Sequence, residues 1–219
     1  MDFNITKYLG GIGALLLFIT ILPYVSAVNF MGILSLIGVI MLLVAAKGLA
    51  DYYREGGIFN NALYGTILSI VGVVAFVGVL FYSLFSLLSD WGWTIGAGDF
   101  TAFASQLTDM TGFASLVFSD IIGFLGVIII ALVVLFVFVV LAAIFFRKSM
   151  SLTARKSGVG LFGSAGMLLL VGAVLTIVFF GIILMWISLL LIAIAFFQLH
   201  PQATPPPVQY ESPPPPPQM

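Results

Sequence analysis

The side chains best suited to chemistry lie in one short polar segment between two apolar runs. This set, called the polar cluster below, comprises Lys47, Asp51, Arg54, Glu55, Asn60 and Asn61. Lys47 and Asp51 are four residues apart and Asp51 and Arg54 are three apart, so both pairs can meet on one helix face. The cluster could bind a ligand or an ion at the cytoplasmic mouth of a membrane protein. We favour the alternative, a helix–turn–helix corner tied by its own polar groups, with one Asn capping the following helix.

Most side chains used in catalysis are missing from the rest of the chain. There is no Cys, and the only His is His200. These counts exclude disulfides, thiolate metal ligands, Cys nucleophiles and clusters of His ligands. No Gly-x-Ser-x-Gly or Ser-x-x-Lys motif of a serine hydrolase occurs. We therefore assign no catalytic, cofactor-binding or metal-binding residue and expect no enzymatic activity.

A second group of carboxylates lies in the one long loop, residues 89–119, and at its borders. Its members are Asp90, Asp99, Asp109 and Asp120. They could gather a cation, but they lack the Asp-x-Asp spacing of a calcium loop, and we favour ordinary solvated charges. Apolar residues at helical spacing over 100–117 predict a helix lying on the outer membrane surface, or a cover over the bundle.

The composition shows that lipid is the main solvent of the chain. Hydrophobic residues make up 62% and charged residues 7%, far from the balance of soluble proteins. The net charge of -1 argues against a nucleic-acid partner. The apolar runs predict an all-α, polytopic transmembrane helix bundle with six spans. The spans cover about residues 9–28, 30–46, 62–88, 121–146, 159–178 and 181–199.

Two turns within this arrangement can be predicted from the sequence. Residues 158–199 carry no charge and are about twice as long as the ~20 residues that one helix needs to cross a bilayer. This length predicts two helices joined by a tight turn near residues 179–181. Asn29 is predicted to be the turn between the first two spans.

The basic residues predict how the chain is oriented. All seven Lys and Arg residues fall at the N-terminus or in the two loops on the same side as the N-terminus. The positive-inside rule then predicts a multi-pass protein of the cell membrane with both termini in the cytoplasm. The first apolar run also resembles a secretory signal peptide. We favour its retention as the first helix, because Asp2 offsets Lys7 in a weak n-region.

Two hairpins have similar glycine patterns. Leu9 to Leu17 and Phe162 to Leu170 share the pattern Gly-x-x-Gly-x-Leu-Leu-Leu, and in the six-span topology the hairpins they open would be parallel repeats. Coincidence in a Leu/Gly-rich sequence is the alternative.

Small residues recur at Gly65, Ser69 and Gly72 and at Gly160 and Ser164, spacing that lets helices approach closely in lipid. We favour packing inside the bundle over a homo-oligomer formed through these helix faces.

The composition changes abruptly after Leu199. Residues 200–219 are rich in proline, which predicts a disordered cytoplasmic tail outside the transmembrane domain of residues 1–199. Such a tail could be a docking ligand for a cytoplasmic partner. We favour a tail that only clears the membrane.

Three segments carry a resemblance to a known family. These are Lys7-Tyr-Leu-Gly-Gly-Ile-Gly, residues 47–61, and residues 179–199 with their ending Ala195-Phe-Phe-Gln-Leu. Over about residues 5–199 the chain resembles domain of unknown function 996, a family of small prokaryotic, chiefly archaeal, multi-pass membrane proteins. The resemblance implies the fold and the membrane location. It carries over no functional residue, because the family has no established activity.

The function class that fits these observations is a non-enzymatic integral membrane protein that acts through helix packing or partner binding. The alternative is a passive channel or transporter for a small solute. The predicted hydrocarbon spans contain no Asp, Glu, Lys, Arg or His, which weighs against a proton-coupled carrier.

Overall fold

A computed structural model of the chain describes residues 2–20, 28–90 and 118–201. Within these ranges the secondary structure consists of six α-helices and one short 3-10 helix, Thr176–Val178. The helices are α1 (Phe3–Thr20), α2 (Val28–Tyr52), α3 (Gly56–Asp90), α4 (Phe118–Ser157), α5 (Gly160–Leu175) and α6 (Phe180–Phe197). All six are long and apolar enough to cross a membrane, which confirms the predicted all-α transmembrane bundle.

The six helices form a closed ring. Each helix packs against the next one along the chain, and α6 returns to pack against α1. Neighbours run antiparallel, as the short connections at residues 53–55 and 158–159 require. The two hairpins with the shared glycine pattern, α1–α2 and α5–α6, therefore run in the same direction.

The alternation of the helices brings every basic residue to one end of the ring, called the basic end below. At this end α1, α3 and α5 begin and α2, α4 and α6 finish. The basic residues found here are Lys7, Lys47, Arg54, Arg147, Lys148, Arg155 and Lys156. The fold therefore produces the one-sided charge distribution that the sequence pattern predicts.

The best-packed part of the core also lies towards the basic end. Its largest buried apolar side chains are Leu49, Ile58, Phe162 and Leu199, which come from four different parts of the chain.

Glycine makes the close contact between α1 and α6 possible. A Cβ on Gly10 would collide with the Phe196 ring, so only glycine lets α1 approach α6 at this point.

The first glycines of the two similar patterns have equivalent packing neighbours, whereas the second glycines do not. Gly10 faces α6 and Gly163 faces Ala154 of α4, so each lies against the helix before it in the ring. Gly166 also faces α4, near Met150, whereas Gly13 faces α2, near Gly38. The two hairpins therefore share a direction and one contact, but not a complete packing pattern.

The uncharged segment 158–199 folds as the predicted helical hairpin. Its turn consists of the 3-10 helix and Phe179, which has a left-handed backbone with φ of 62°. Gly181 then lies directly against the backbone of Gly172 and Thr176, so that α6 can begin without a longer loop.

One predicted turn is wrong, and two helices are longer than their predicted membrane spans. Asn29 is inside α2 rather than in a turn. At the basic end, α2 continues past residue 46 to Tyr52 and α4 continues past residue 146 to Ser157. A fall in hydropathy marks where a helix leaves hydrocarbon, whereas backbone hydrogen bonding can continue into water. The helices therefore project beyond their apolar spans.

The predicted packing of small residues holds for α3. Gly65 lies against Phe146 and the Ala142 carbonyl, and Gly72 lies against Phe138, so both glycines face α4 inside the bundle. On α5, by contrast, Gly160 and Ser164 are exposed.

Several predictions fall outside the described residues. They concern Asp99 and Asp109, the helix predicted over 100–117, and tail residues 202–219. Asp90 is the last residue of α3, and Asp120 lies in the first turn of α4.

Candidate functional site

The polar cluster surrounds the turn between α2 and α3, and the shape of that turn is set by its backbone. The Glu55 amide donates to the Ala50 carbonyl at 2.9 Å, and the Arg54 amide donates to the Asp51 carbonyl at 3.4 Å. This pair of bonds is the Schellman arrangement that ends many helices. Arg54 occupies its left-handed position with φ of 52°, where glycine is the usual residue.

The side chains of the cluster do not converge on a common point; their contacts divide them into separate groups. Lys47 Nζ lies 2.9 Å from Asp51 Oδ1, in a pair whose side chains are 56% and 57% exposed. Lys47 Nζ also lies over the Phe59 ring of α3, 5.6 Å from its centroid. An exposed pair of this kind contributes only about 0.3–0.5 kcal/mol to stability, so it is a minor part of what stabilises the corner.

The remaining members of the cluster point elsewhere. Glu55 Oε2 lies 3.2 Å from Nζ of Lys156, which joins the turn to the end of α4. Asn61 donates from Nδ2 to the Gly57 carbonyl of its own helix at 2.6 Å. Arg54 and Asn60 are exposed. This division supports the interpretation of the cluster as a tied corner.

Tyr53 belongs to this corner, although it is not a member of the polar cluster. Its hydroxyl oxygen is buried and makes no hydrogen bond with any described residue. Burial raises the pKa of Tyr53 to about 12, with a smaller contribution from the neighbouring Tyr52. A phenol in this environment stays protonated at neutral pH. It is therefore a packing group and not an acid or base for catalysis near pH 7.

Two hydroxyls inside the bundle link neighbouring helices. Ser149 of α4 donates to the Ile58 carbonyl of α3 at 2.7 Å. Ser188 of α6 donates to the Ala165 carbonyl of α5 at 2.8 Å. Both serines are buried. No sequence pattern indicated them, because serine spacing does not reveal which carbonyl on another helix a hydroxyl will meet.

A cavity of about 280 Å³ lies inside the ring and receives side chains from all six helices. Its end nearest the basic end is formed by Leu49, Ile58, Phe162 and Phe196. Its other end is formed by Leu17, Val39, Ile70, Leu169 and Leu189. The lining is thus mainly aliphatic and aromatic.

Four hydroxyls also line this cavity, and each already donates a hydrogen bond to a backbone carbonyl. Thr66 donates to Ala62 and Ser69 to Gly65, both within α3. On α4, Thr153 donates to Ser149, and Ser149 donates across to Ile58. None of the four has its proton free for a ligand, since a hydroxyl has only one to donate.

The family model described as "Protein of unknown function (DUF996)" matches residues 34–190, which is most of the bundle. The chain belongs to the DUF996 family. The match covers all of α3, α4 and α5 and parts of α2 and α6, whereas α1 lies outside it.

One relative of this DUF996 member is the uncharacterised protein MJ1644 of Methanocaldococcus jannaschii. It is 28% identical over 202 residues, which cover 91% of this chain and 94% of the relative. No solved structure matches the chain. Neither the family description nor the name of the relative assigns an activity.

Proposed function

We propose that this DUF996 member is a non-enzymatic integral membrane protein that acts by binding a partner within the membrane. The observation that carries this proposal is the central cavity, which has apolar walls and whose hydroxyls are already hydrogen-bonded to backbone. Such a space favours an apolar molecule, because a polar one would lose its bonds to water without replacing them.

The same observation weighs against the competing function, a passive channel or transporter for a small solute. Selective pores replace the water around a solute with carbonyl rings, charged side chains or other polar groups along their path. The cavity does lie at the centre of a ring of helices, where a pore would open. Its two ends are formed by apolar side chains such as Phe162 and Leu189, which present no polar path to a solute.

The outer surface offers a second route to partner binding. Within an apolar stretch of 18 residues in each helix, only 11% of the residues of α3 and 17% of those of α4 are buried, against 28–33% in the other four helices. This hairpin therefore exposes the most lateral surface to lipid. The exposed pair Gly160 and Ser164 on α5 is the remaining small-residue face for a homo-oligomer, and the proline-rich tail is the segment for a cytoplasmic partner.

We place the protein in the cell membrane with the basic end in the cytoplasm. The support is the positive-inside rule applied to the seven Lys and Arg residues that the fold gathers at that end.

Solute flux tests the proposed function. The protein is reconstituted into phosphatidylcholine liposomes, and the release of trapped ions, glycerol and small amino acids is measured against empty liposomes. We expect release at the rate of the empty liposomes. Release clearly above that rate, abolished by a bulky substitution in the cavity such as Leu189→Trp, would overturn the proposal in favour of a channel.

A further inference from the structure

We propose that the central cavity is a binding site for a single hydrocarbon chain that enters from the bilayer core. The inference rests on the proposed function and names the class of its partner. Three properties of the cavity carry the argument: its volume, the chemistry of its walls and the position of its more exposed end.

The volume fits one chain segment rather than a whole lipid. An apolar protein cavity of about 150 Å³ binds benzene, which has six carbon atoms. By the same ratio, the 280 Å³ of this cavity accommodates about a dozen carbon atoms. A lipid headgroup with two chains would not fit, whereas the end of one chain would.

The walls select hydrocarbon over water and ions. Leu42, Met150 and Ile192 line the cavity between its two ends. The Thr and Ser hydroxyls among them donate to carbonyls, so they expose no proton that a water molecule or an anion would bind. A dry apolar cavity of this kind gains by accepting carbon atoms, because each contributes dispersion contacts to walls that otherwise lack them.

The two ends of the cavity differ in exposure. At the basic end, the wall residues Leu49, Ile58, Phe162 and Phe196 are at most 3% exposed, so this end is closed. At the other end Ile70 lines the cavity and is 54% exposed, so its side chain lies between the cavity and the outer surface of the bundle. A hydrocarbon chain would therefore enter from the side of Ile70 and not from the water at the basic end.

The more exposed end lies at the depth of the lipid chains. Ile70 lies about 14 Å along α3 from Asn61, at 1.5 Å per residue. Asn61 marks the start of the apolar part of α3, and half of a hydrocarbon core is about 15 Å. A chain entering beside Ile70 would therefore come from near the middle of the bilayer, where the ends of lipid chains lie.

Photo-cross-linking tests this inference. The full chain is reconstituted into phosphatidylcholine vesicles with a long-chain fatty acid that carries a diazirine near its methyl end. After illumination, the labelled residues are mapped by mass spectrometry. We expect adducts on cavity residues such as Leu42, Met150 and Leu169, and we expect excess unlabelled fatty acid to remove these adducts but not those on lipid-facing residues.

Two filling variants and one matched control complete the design. Ala62→Leu and Ser69→Leu add carbon atoms at positions that line the cavity, and we expect cavity adducts to fall to the background of non-specific labelling. Val74→Phe adds bulk on α3 at a side chain that is 65% exposed, and we expect cavity adducts to remain at the wild-type level. Circular dichroism and thermal melting show which variants fold.

The outcomes separate this inference from the proposed function. Wild-type adducts confined to lipid-facing residues such as Val74 and Ile130 would overturn the hydrocarbon site, even if neither filling variant folds. They would leave the proposed function standing as long as the liposomes show no solute flux. Cavity adducts that excess fatty acid does not displace would also overturn the inference, because a site must saturate.

Discussion

The Lys7 ammonium donates a hydrogen bond of 2.8 Å to the Leu199 carbonyl and so links the first helix to the end of the last. This bond places a positive charge where the carbonyls at the end of α6 lack partners within the helix. Farther along the same helix pair, Trp186 donates to the Phe18 carbonyl at 3.0 Å, and its ring stacks on that of Phe18. The ring of helices is therefore closed by polar contacts at two levels.

We expect Lys7→Met to destabilise the bundle. Methionine keeps the packing of the aliphatic stem but loses the charged donor to Leu199, and a partly buried bond of this type contributes about 1–2 kcal/mol. Thermal melting in detergent measures the loss. Arg155→Met is the matched control, because it removes an exposed charge at the same end of the ring. Equal losses in the two variants would show that the Leu199 bond contributes nothing particular.

Gly10→Ala and Gly78→Ala should have opposite effects. The new methyl group at position 10 collides with the Phe196 ring and should destabilise the protein by about 1–3 kcal/mol through overpacking. At position 78 there is open space, and alanine should stabilise α3 by up to about 1 kcal/mol through its helix propensity. Chemical unfolding of the two variants side by side measures both effects. A neutral Gly10→Ala would contradict the close packing of α1 on α6.

Arg54→Gly should stabilise the corner between α2 and α3. Glycine adopts the left-handed backbone at position 54 without the steric penalty that arginine pays, and we expect a gain of about 0.5–1 kcal/mol after its larger unfolded-state entropy is counted. Thermal melting measures the gain. Arg54→Ala removes the same charge but retains the strain, so it should not stabilise. Stabilisation by both variants would instead point to charge repulsion at the basic end.

We expect the stability of the protein to depend on alkaline pH because the Tyr53 hydroxyl is buried. Its folded pKa of about 12 lies above the ordinary value of 10.0, so between these values the unfolded state binds fewer protons than the folded state. The stability contributed by protonated Tyr53 is therefore complete below pH 10 and falls as the pH rises through about 12. The melting temperature of the wild type should follow this trend above pH 10, whereas that of Tyr53→Phe should not, since the variant lacks this titration. Parallel pH profiles would refute the burial of the hydroxyl.

Reporter fusions test the orientation of the helices. A topology reporter placed after residue 57 or 152 should show cytoplasmic activity, because both positions lie at the basic end. A reporter after residue 100 should show the opposite side. The N-terminal peptide of protein purified from membranes should still contain Lys7, since α1 is a packed member of the ring. A cytoplasmic signal at residue 100 would contradict the topology.

Much of this architecture can be predicted from the sequence, because hydropathy reports directly on contact with lipid. The apolar runs identify six spans, and the uncharged segment 158–199 identifies the hairpin with its turn at Phe179. The helix ends are less predictable. Arg147 and Lys148 mark where α4 leaves the apolar span, but its backbone hydrogen bonding continues to Ser157.

The candidate sites were less predictable than the fold. The segment 47–61 indicated a polar corner, and the pairing of Lys47 with Asp51 follows from helical spacing. The partner of Glu55 did not follow, because Lys156 belongs to another helix and is brought close only by the ring. The cavity has no local signature at all, since six helices each contribute a few ordinary apolar residues that resemble lipid-facing ones.

The contact of α6 with α1 has a consequence for the order of assembly during translation. Lys7 and Gly10 are synthesised about 190 residues before their partners Leu199 and Phe196. At about 5–20 residues per second, the interval is roughly 10–40 s. During that interval the face of α1 that later contacts α6 is covered by lipid or by other parts of the chain, and the ring cannot close until α6 has been inserted.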